Sequence, residues 1–298
     1  MSRVRRLAAI STAVAVAAVG TFGAATSSAT AFSAATASAG AAAKRPTVEV
    51  HIGKGRVVHM PDTIRPGTER FVVHSDRDSG FQLIRPDAGY RRGEAARDIN
   101  AAFMKNKMKA LARFERNTHL LGGVPASPGH PGFLIVTLEP GWYWAVDTNR
   151  RVTDPRLIKR VHVTGERVNA SPDGGAVLRA IHETDFAKRP RAISHRGRLT
   201  FRNDSTDNHF IEMAKLKRGK TMKDFARWVR QAKAGKQVAP PVKENVGTGT
   251  GVLSPGHEMT MHYDLPRGRY VMVCFWPDAE MGGMPHAFMG MYRGIRLR

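Results

Sequence analysis

The stretch SPGHEMTMHYDLPRGRYVMVCF, residues 254–275, reads as turn, strand, turn, strand. Ser254-Pro255-Gly256-His257 has turn chemistry, because proline presets one φ and glycine accepts a positive one. Met259 to Leu265 follows as a strand, and Pro266-Arg267-Gly268 turns the chain again. Tyr270 to Phe275 is then apolar on both faces, as a strand central to a core is. The same order stands 127 residues earlier. Ser127-Pro128-Gly129-His130 matches the turn, and Leu138, Gly141 and Tyr143 match Leu265, Gly268 and Tyr270 without a gap. Upstream, Arg92-Gly93 and Arg97-Asp98-Ile99 recur as Arg218-Gly219 and Lys223-Asp224-Phe225. Two blocks at nearly the same spacing mark an internal duplication.

The repeat divides the chain into residues 45–167 and 169–298, joined by the turn-rich Asn169-Ala170-Ser171-Pro172-Asp173-Gly174-Gly175. Each half is expected to be mostly strands. Thr47–Ile52 and Arg198–Asn203 alternate, while Trp142–Val146 and Tyr270–Phe275 read as core strands. One helical excursion is expected per half. Glu94–Phe114 carries Ile99, Phe103 and Leu111 at helical intervals, and Lys220–Lys233 carries Met222, Phe225 and Val229. Asp98 and Asp224 read as solvated helix residues. Short strands with Gly/Pro turns give an all-β fold, two tandem Greek-key sandwiches each with a helical insertion.

The first 43 residues are read apart from the fold. Met1 to Arg6 is basic, Leu7 to Ala25 is apolar, and Ala29-Thr30-Ala31, Ala35-Thr36-Ala37 and Ala37-Ser38-Ala39 are small-residue cleavage sites. That order is a secretory signal, so a secreted or envelope location is expected, by the general or the twin-arginine route. No later segment approaches a membrane span. The net charge is +22, and loss of Arg3, Arg5 and Arg6 with the signal leaves +19. In an exported protein such a field suits an anionic cell-wall polymer or lipid surface rather than nucleic acid, or is simply a solvated surface. The single cysteine, Cys274, allows no internal disulfide; it is either a small buried residue or a ligand.

Because the halves repeat, a residue present in only one of them is the better site candidate. His130 and His257 share a turn and read as structural. Cys274 falls opposite Asp147, and His209, in Asn208-His209-Phe210-Ile211-Glu212-Met213, has no histidine counterpart in Ser79–Leu83. The order Asn203, His209, Cys274, His286, Met291 resembles the blue-copper cupredoxins, as does His286-Ala287-Phe288-Met289-Gly290-Met291 with its Gly-Met pair. The motif covers about Arg198 to Leu297; the first half shares the scaffold only through the repeat. The resemblance implies one type 1-like copper on His209, Cys274, His286 and Met291, with Met289 as rival axial ligand, and a redox partner protein. Copper that cycles between two oxidation states uses a thiolate and two imidazoles with a weak axial thioether. The departure is the loop: eleven residues separate Cys274 from His286, with turn residues at Pro277-Asp278 and Gly282-Gly283. Such an insertion either loops out and returns His286 to the site or marks a scaffold that lost its metal.

Two functional readings therefore stand: a copper protein for electron transfer or copper handling, and a metal-free sandwich that binds an envelope component. An enzyme is not expected. Cys274 is followed by Phe275, no two of the twelve histidines form a His-x-His pair, and neither a Gly-x-Ser-x-Gly elbow nor a His-Glu-x-x-His helix occurs. Met281, Met284, Met289 and Met291 crowd one loop and read either as flexible filler or as soft ligands.

Overall fold

Strict alternation of exposed and buried residues along Thr47–Ile52 makes β1 a strand with one face on a core. The computed structural model describes residues 47–149, 154–168 and 174–298; the signal segment and residues 169–173 of the join lie outside the described residues. After β1 come β2 (Val58–His59), β3 (Thr63–Ile64), β4 (Gly67–Ser75) and β5 (Ser79–Pro86). Helices α1 (Arg92–Lys105) and α2 (Met108–Arg116) follow, then β6 (Thr118–Ala126), β7 (Gly132–Leu138), β8 (Gly141–Asp147) and β9 (Lys159–Val163). The second half runs β10 (Ala176–Ile181), β11 (Asp185–Phe186), β12 (Ala192–Ile193), β13 (Arg196–Asp204), β14 (Glu212–Leu216), α3 (Met222–Lys233) and β15 (Val242–Gly249). It ends with β16 (Glu258–Asp264), β17 (Gly268–Val273), β18 (Pro277–Asp278), β19 (Met284–Pro285), the one-turn α4 (His286–Met289) and β20 (Tyr292–Leu297).

Each half packs two sheets face to face. In the first, β2-β1-β4-β7 faces β3-β9-β8-β5-β6; in the second, β11-β10-β13-β16 faces β12-β20-β17-β14-β15. The parallel pairs β1–β4 and β10–β13 hold corresponding places. The two four-stranded sheets join edge to edge where β16 pairs with β7, Thr260 opposite Ile135 and Met261 opposite Leu134. One eight-stranded sheet thus runs through both halves, and two strand edges that would be open to other chains are closed. The core is one continuous cluster of buried residues from both halves, with Phe71, Phe81, Leu134 and Tyr143 from the first and Phe201, Met259, Tyr270 and Met272 from the second. The fold is all-β, two Greek-key sandwiches with helical insertions.

Three expectations change. The first excursion is two helices, broken at Asn106, which sits in the left-handed region with φ 52°. Asparagine tolerates that conformation, so Lys105-Asn106-Lys107 stops one helix and lets the next start at a new angle. Asp98 is buried; its carboxylate is paired with Arg113 and accepts the Tyr90 hydroxyl at 2.9 Å. Trp142 is 48% exposed, because only the next residue on its face, Trp144, is covered by the insertion; Trp142 stacks on His162 at 4.5 Å with Arg160 over its ring. The excursion of the second half, α3, starts at Met222, with the Asp224 carboxylate accepting the Thr221 N–H at 2.9 Å.

Candidate metal centre

Four segments meet at the end of the second sandwich beside β6. The first is the turn after β13, built by Asn203, which is wholly buried. Its side-chain amide donates to the Asp207 and Leu253 carbonyls, each at 2.7 Å, and its oxygen accepts from the Ser205 N–H and hydroxyl. This knot sets the course of the chain into His209. His209 then pairs with Leu253 in an isolated antiparallel bridge, N–H to carbonyl in both directions. It precedes β14, held by that bridge rather than by a strand.

The other segments follow β17. Cys274 is the first residue past the strand, and its N–H donates to the Met291 carbonyl at 3.2 Å. The long spacer folds on itself: β18 and β19 pair antiparallel, Pro277 opposite Pro285 and Asp278 opposite Met284, around Gly282 and Gly283 at φ 69° and 84°. Positive φ at both tips is glycine's conformation. The hairpin closes where the His286 N–H donates to the Trp276 carbonyl at 2.9 Å, so His286 comes back beside Cys274. One turn of α4 later, the Met291 N–H donates to the His286 carbonyl at 3.0 Å.

The result is a cluster of three ligand atoms. Cys274 Sγ lies 3.8 Å from His209 Nδ1 and 3.7 Å from His286 Nδ1, and the two Nδ1 atoms are 3.0 Å apart. All three side chains are buried, as is Met291, while Met289 is half-buried. Burial pushes the His209 imidazolium down to about 3, with His286 adding to it, and pushes His286 down to about 4 against the opposing pull of Asp278. Both rings are therefore neutral at neutral pH and offer lone pairs. Burial pushes the Cys274 thiol up to about 12, so without a cation it keeps its proton. Cation binding would displace that proton.

The cluster suits a small soft cation. An ion sits about 2.0 Å from imidazole nitrogen and about 2.3 Å from thiolate sulfur, so its ligand atoms must lie within roughly 4 Å of one another. The observed separations meet that condition, and the set of two imidazoles and one thiol is the one copper favours. His209 Nε2 is buried with no hydrogen-bond partner among the described residues, so the ring is placed by its bridge to Leu253 and by its Nδ1 face. A second group, Asp207, Asp278 and His286, also has ligand atoms within 4.8 Å, but it shares His286 with the first.

In the first sandwich the end of β8 carries Asp147 where β17 leads to Cys274. Asp147 is buried and paired with Arg56 at 2.7 Å, and it accepts the Gly80 and Asn149 N–H groups at 3.0 Å. Nearby, the Ser75 and Ser79 hydroxyls bond each other at 2.8 Å. An ion pair thus stands at the end of β8, where β17 leads to a thiol. His130 and His257 close matching turns, with Gly129 and Gly256 both at φ 75°, and neither joins the cluster.

Sequence reasoning gave no hint of Glu115. Its Oε1 accepts the Trp276 indole N–H at 2.6 Å and the Asn208 amide at 3.2 Å. Glu115 lies on a helix of amphipathic pattern, where a carboxylate reads as solvated. Glu212 is a second surprise: burial pushes it up to about 8, and its Oε2 lacks a partner among the described residues.

With strand order, cluster and loop described, the chain can be set beside known proteins. The chain matches no protein-family model and no curated protein. Among solved structures it is similar to dithionite-reduced auracyanin from the photosynthetic bacterium Roseiflexus castenholzii, with 18% identity, 43% of this chain, 99% of that one and a TM-score of 0.28. It is also similar to auracyanin A, a blue copper protein of Chloroflexus aurantiacus, with 15% identity, 41% and 100% coverage and a TM-score of 0.28. A Cu-containing nitrite reductase from Thermus scotoductus is 12% identical over 85% of this chain and 61% of that one, at a TM-score of 0.23. These likenesses concern the fold alone.

Proposed function

We propose that this is an exported cupredoxin-like protein that holds one copper ion on His209, Cys274 and His286, with Met291 as axial ligand, for electron transfer or copper handling. The observation that carries the reading is the convergence of two neutral imidazole nitrogens and one thiol within 3.8 Å of one another in a buried place. Bound copper would supply one-electron chemistry. The chain's own residues do the rest. The Asn203 knot and the Leu253 bridge fix the His209 ring, while the Met291 and Trp276 carbonyls tie Cys274 and His286 to one loop. Buried Phe275, Phe288 and Met291 keep water from the ligands. A frame held from several sides resists rearrangement, which keeps the barrier to electron transfer small.

The two sandwiches derive, on this reading, from a duplication in which only residues 169–298 carry a ligand set, residues 45–167 keeping the scaffold with Asp147 and Arg56 at the matching place. The role is that of a carrier rather than an enzyme, since Phe275 follows Cys274 and the chain has no His-x-His pair. A redox partner protein is the expected contact. No helix among the described residues is long and apolar enough to cross a membrane.

The test is a Cu(II) titration of the purified mature protein followed by visible absorption. One equivalent should raise an intense thiolate-to-copper band that Cys274→Ser lacks. A protein that takes up no copper would instead be a metal-free sandwich, and its basic surface would be the place to seek an anionic envelope partner.

A further inference from the structure

The second sandwich does not enclose its ligand cluster alone. Glu115 belongs to α2 of the first sandwich, yet both hydrogen bonds to its Oε1 come from segments that carry ligands. Trp276 stands two residues after Cys274, and its carbonyl holds the His286 N–H. Asn208 is the residue before His209, and its Oδ1 accepts the Ser254 hydroxyl at 2.7 Å. The Ser254 oxygen in turn accepts the Leu120 N–H, from β6, at 2.9 Å. Backbone bonds continue the seam: Gly122 N–H to Val252, Gly251 N–H to Gly123, and Ser254 N–H to Leu120. Leu253, inside that seam, pairs with Leu121 and also with His209. The Trp276 ring meets Phe103 of α1 edge-on at 5.9 Å.

We infer that Glu115 is a positioning residue of the metal centre, one carboxylate that ties the His209 segment to the Cys274–His286 loop and makes the first sandwich part of the site's frame. The chemistry requires an acceptor there. The indole and the amide can only donate toward Oε1, and with Glu115 truncated both N–H groups would lose their partner inside the contact. Loss of the tie lets the loop and the His209 turn part, and the cluster opens along the seam. The copper consequence rests on the reading proposed above; the mechanical one does not.

Cys274 is the only cysteine, so thiol labelling of the full metal-free chain reads a single position. Glu115→Ala should label about tenfold faster than wild type or more, the scale of a buried donor left without its acceptor. Glu115→Gln keeps an acceptor oxygen and should label within about twofold of wild type. Where Glu115→Ala fails to fold, Trp276→Phe keeps the ring against Phe103, removes the N–H, and should raise labelling in the same direction. In a second arm, Glu115→Ala should weaken Cu(II) uptake or move its band while Glu115→Gln retains both. Wild-type labelling in Glu115→Ala and Trp276→Phe would overturn the inference. If wild type takes up no copper, the copper reading falls and the labelling arm still decides the clamp.

Discussion

Buried ionisable residues fall into two kinds here. Asp147 and Asp98 are buried with partners, Arg56 for one and Arg113 with Tyr90 for the other, which offsets their desolvation. Glu69, on β4, is buried with Oε2 unpartnered among the described residues; burial pushes it up to about 7 against the opposing field of Arg65. A carboxyl raised in the folded state binds its proton more tightly there than in the unfolded chain. Its contribution is therefore fully present below the ordinary glutamate value of about 4.3 and is lost as pH rises through about 7. Wild type should lose more stability between pH 5 and pH 8 than Glu69→Gln does, measured as the shift in urea midpoint. An equal loss in both proteins would show that Glu69 is not the group responsible. At this scale the sequence was only partly legible. His209, Cys274 and His286, named from their order along the chain, converge in space. Glu115, Glu69 and Asp98 carried no such signal, since only tertiary packing distinguishes a buried carboxylate from a solvated one on the same pattern.

The elements were more legible than their joints. Alternation and apolar runs located most strands, but the break at Asn106 depends on one residue's left-handed backbone, which no periodicity reports. Asn106→Gly should leave stability within a few tenths of a kcal/mol, whereas Asn106→Val should cost about 1–2 kcal/mol, the strain of a β-branched residue in that conformation. Equal urea midpoints for the two variants would contradict this explanation of the break. The hairpin β18–β19 shows the same lesson with the opposite outcome. Pro277-Asp278 and Gly282-Gly283 marked turns, and the eleven-residue spacer that departs from the short cupredoxin loop is a paired excursion that returns to its starting point. The hairpin does bring His286 back, because its N–H reaches the Trp276 carbonyl across the hairpin's base.

Across the whole molecule, two features make the halves one unit. Pairing of β7 with β16 runs a single sheet through both sandwiches, and the β6 seam presses the first sandwich against the loop that holds His209. Neither could be read from the repeat, which shows two similar halves and nothing of how their edges meet. The half without the ligand cluster thereby gains a physical role, supplying one carboxylate to the segments that carry the other half's ligands. Function at this scale turns on whether two imidazoles and one thiolate hold the copper. X-ray absorption of the copper-loaded protein reads those neighbours without an intermediary. One sulfur and two nitrogen neighbours are expected at short distance, with the sulfur lost in Cys274→Ser. Copper surrounded only by nitrogen and oxygen, or a spectrum unchanged by that substitution, would contradict the proposed centre.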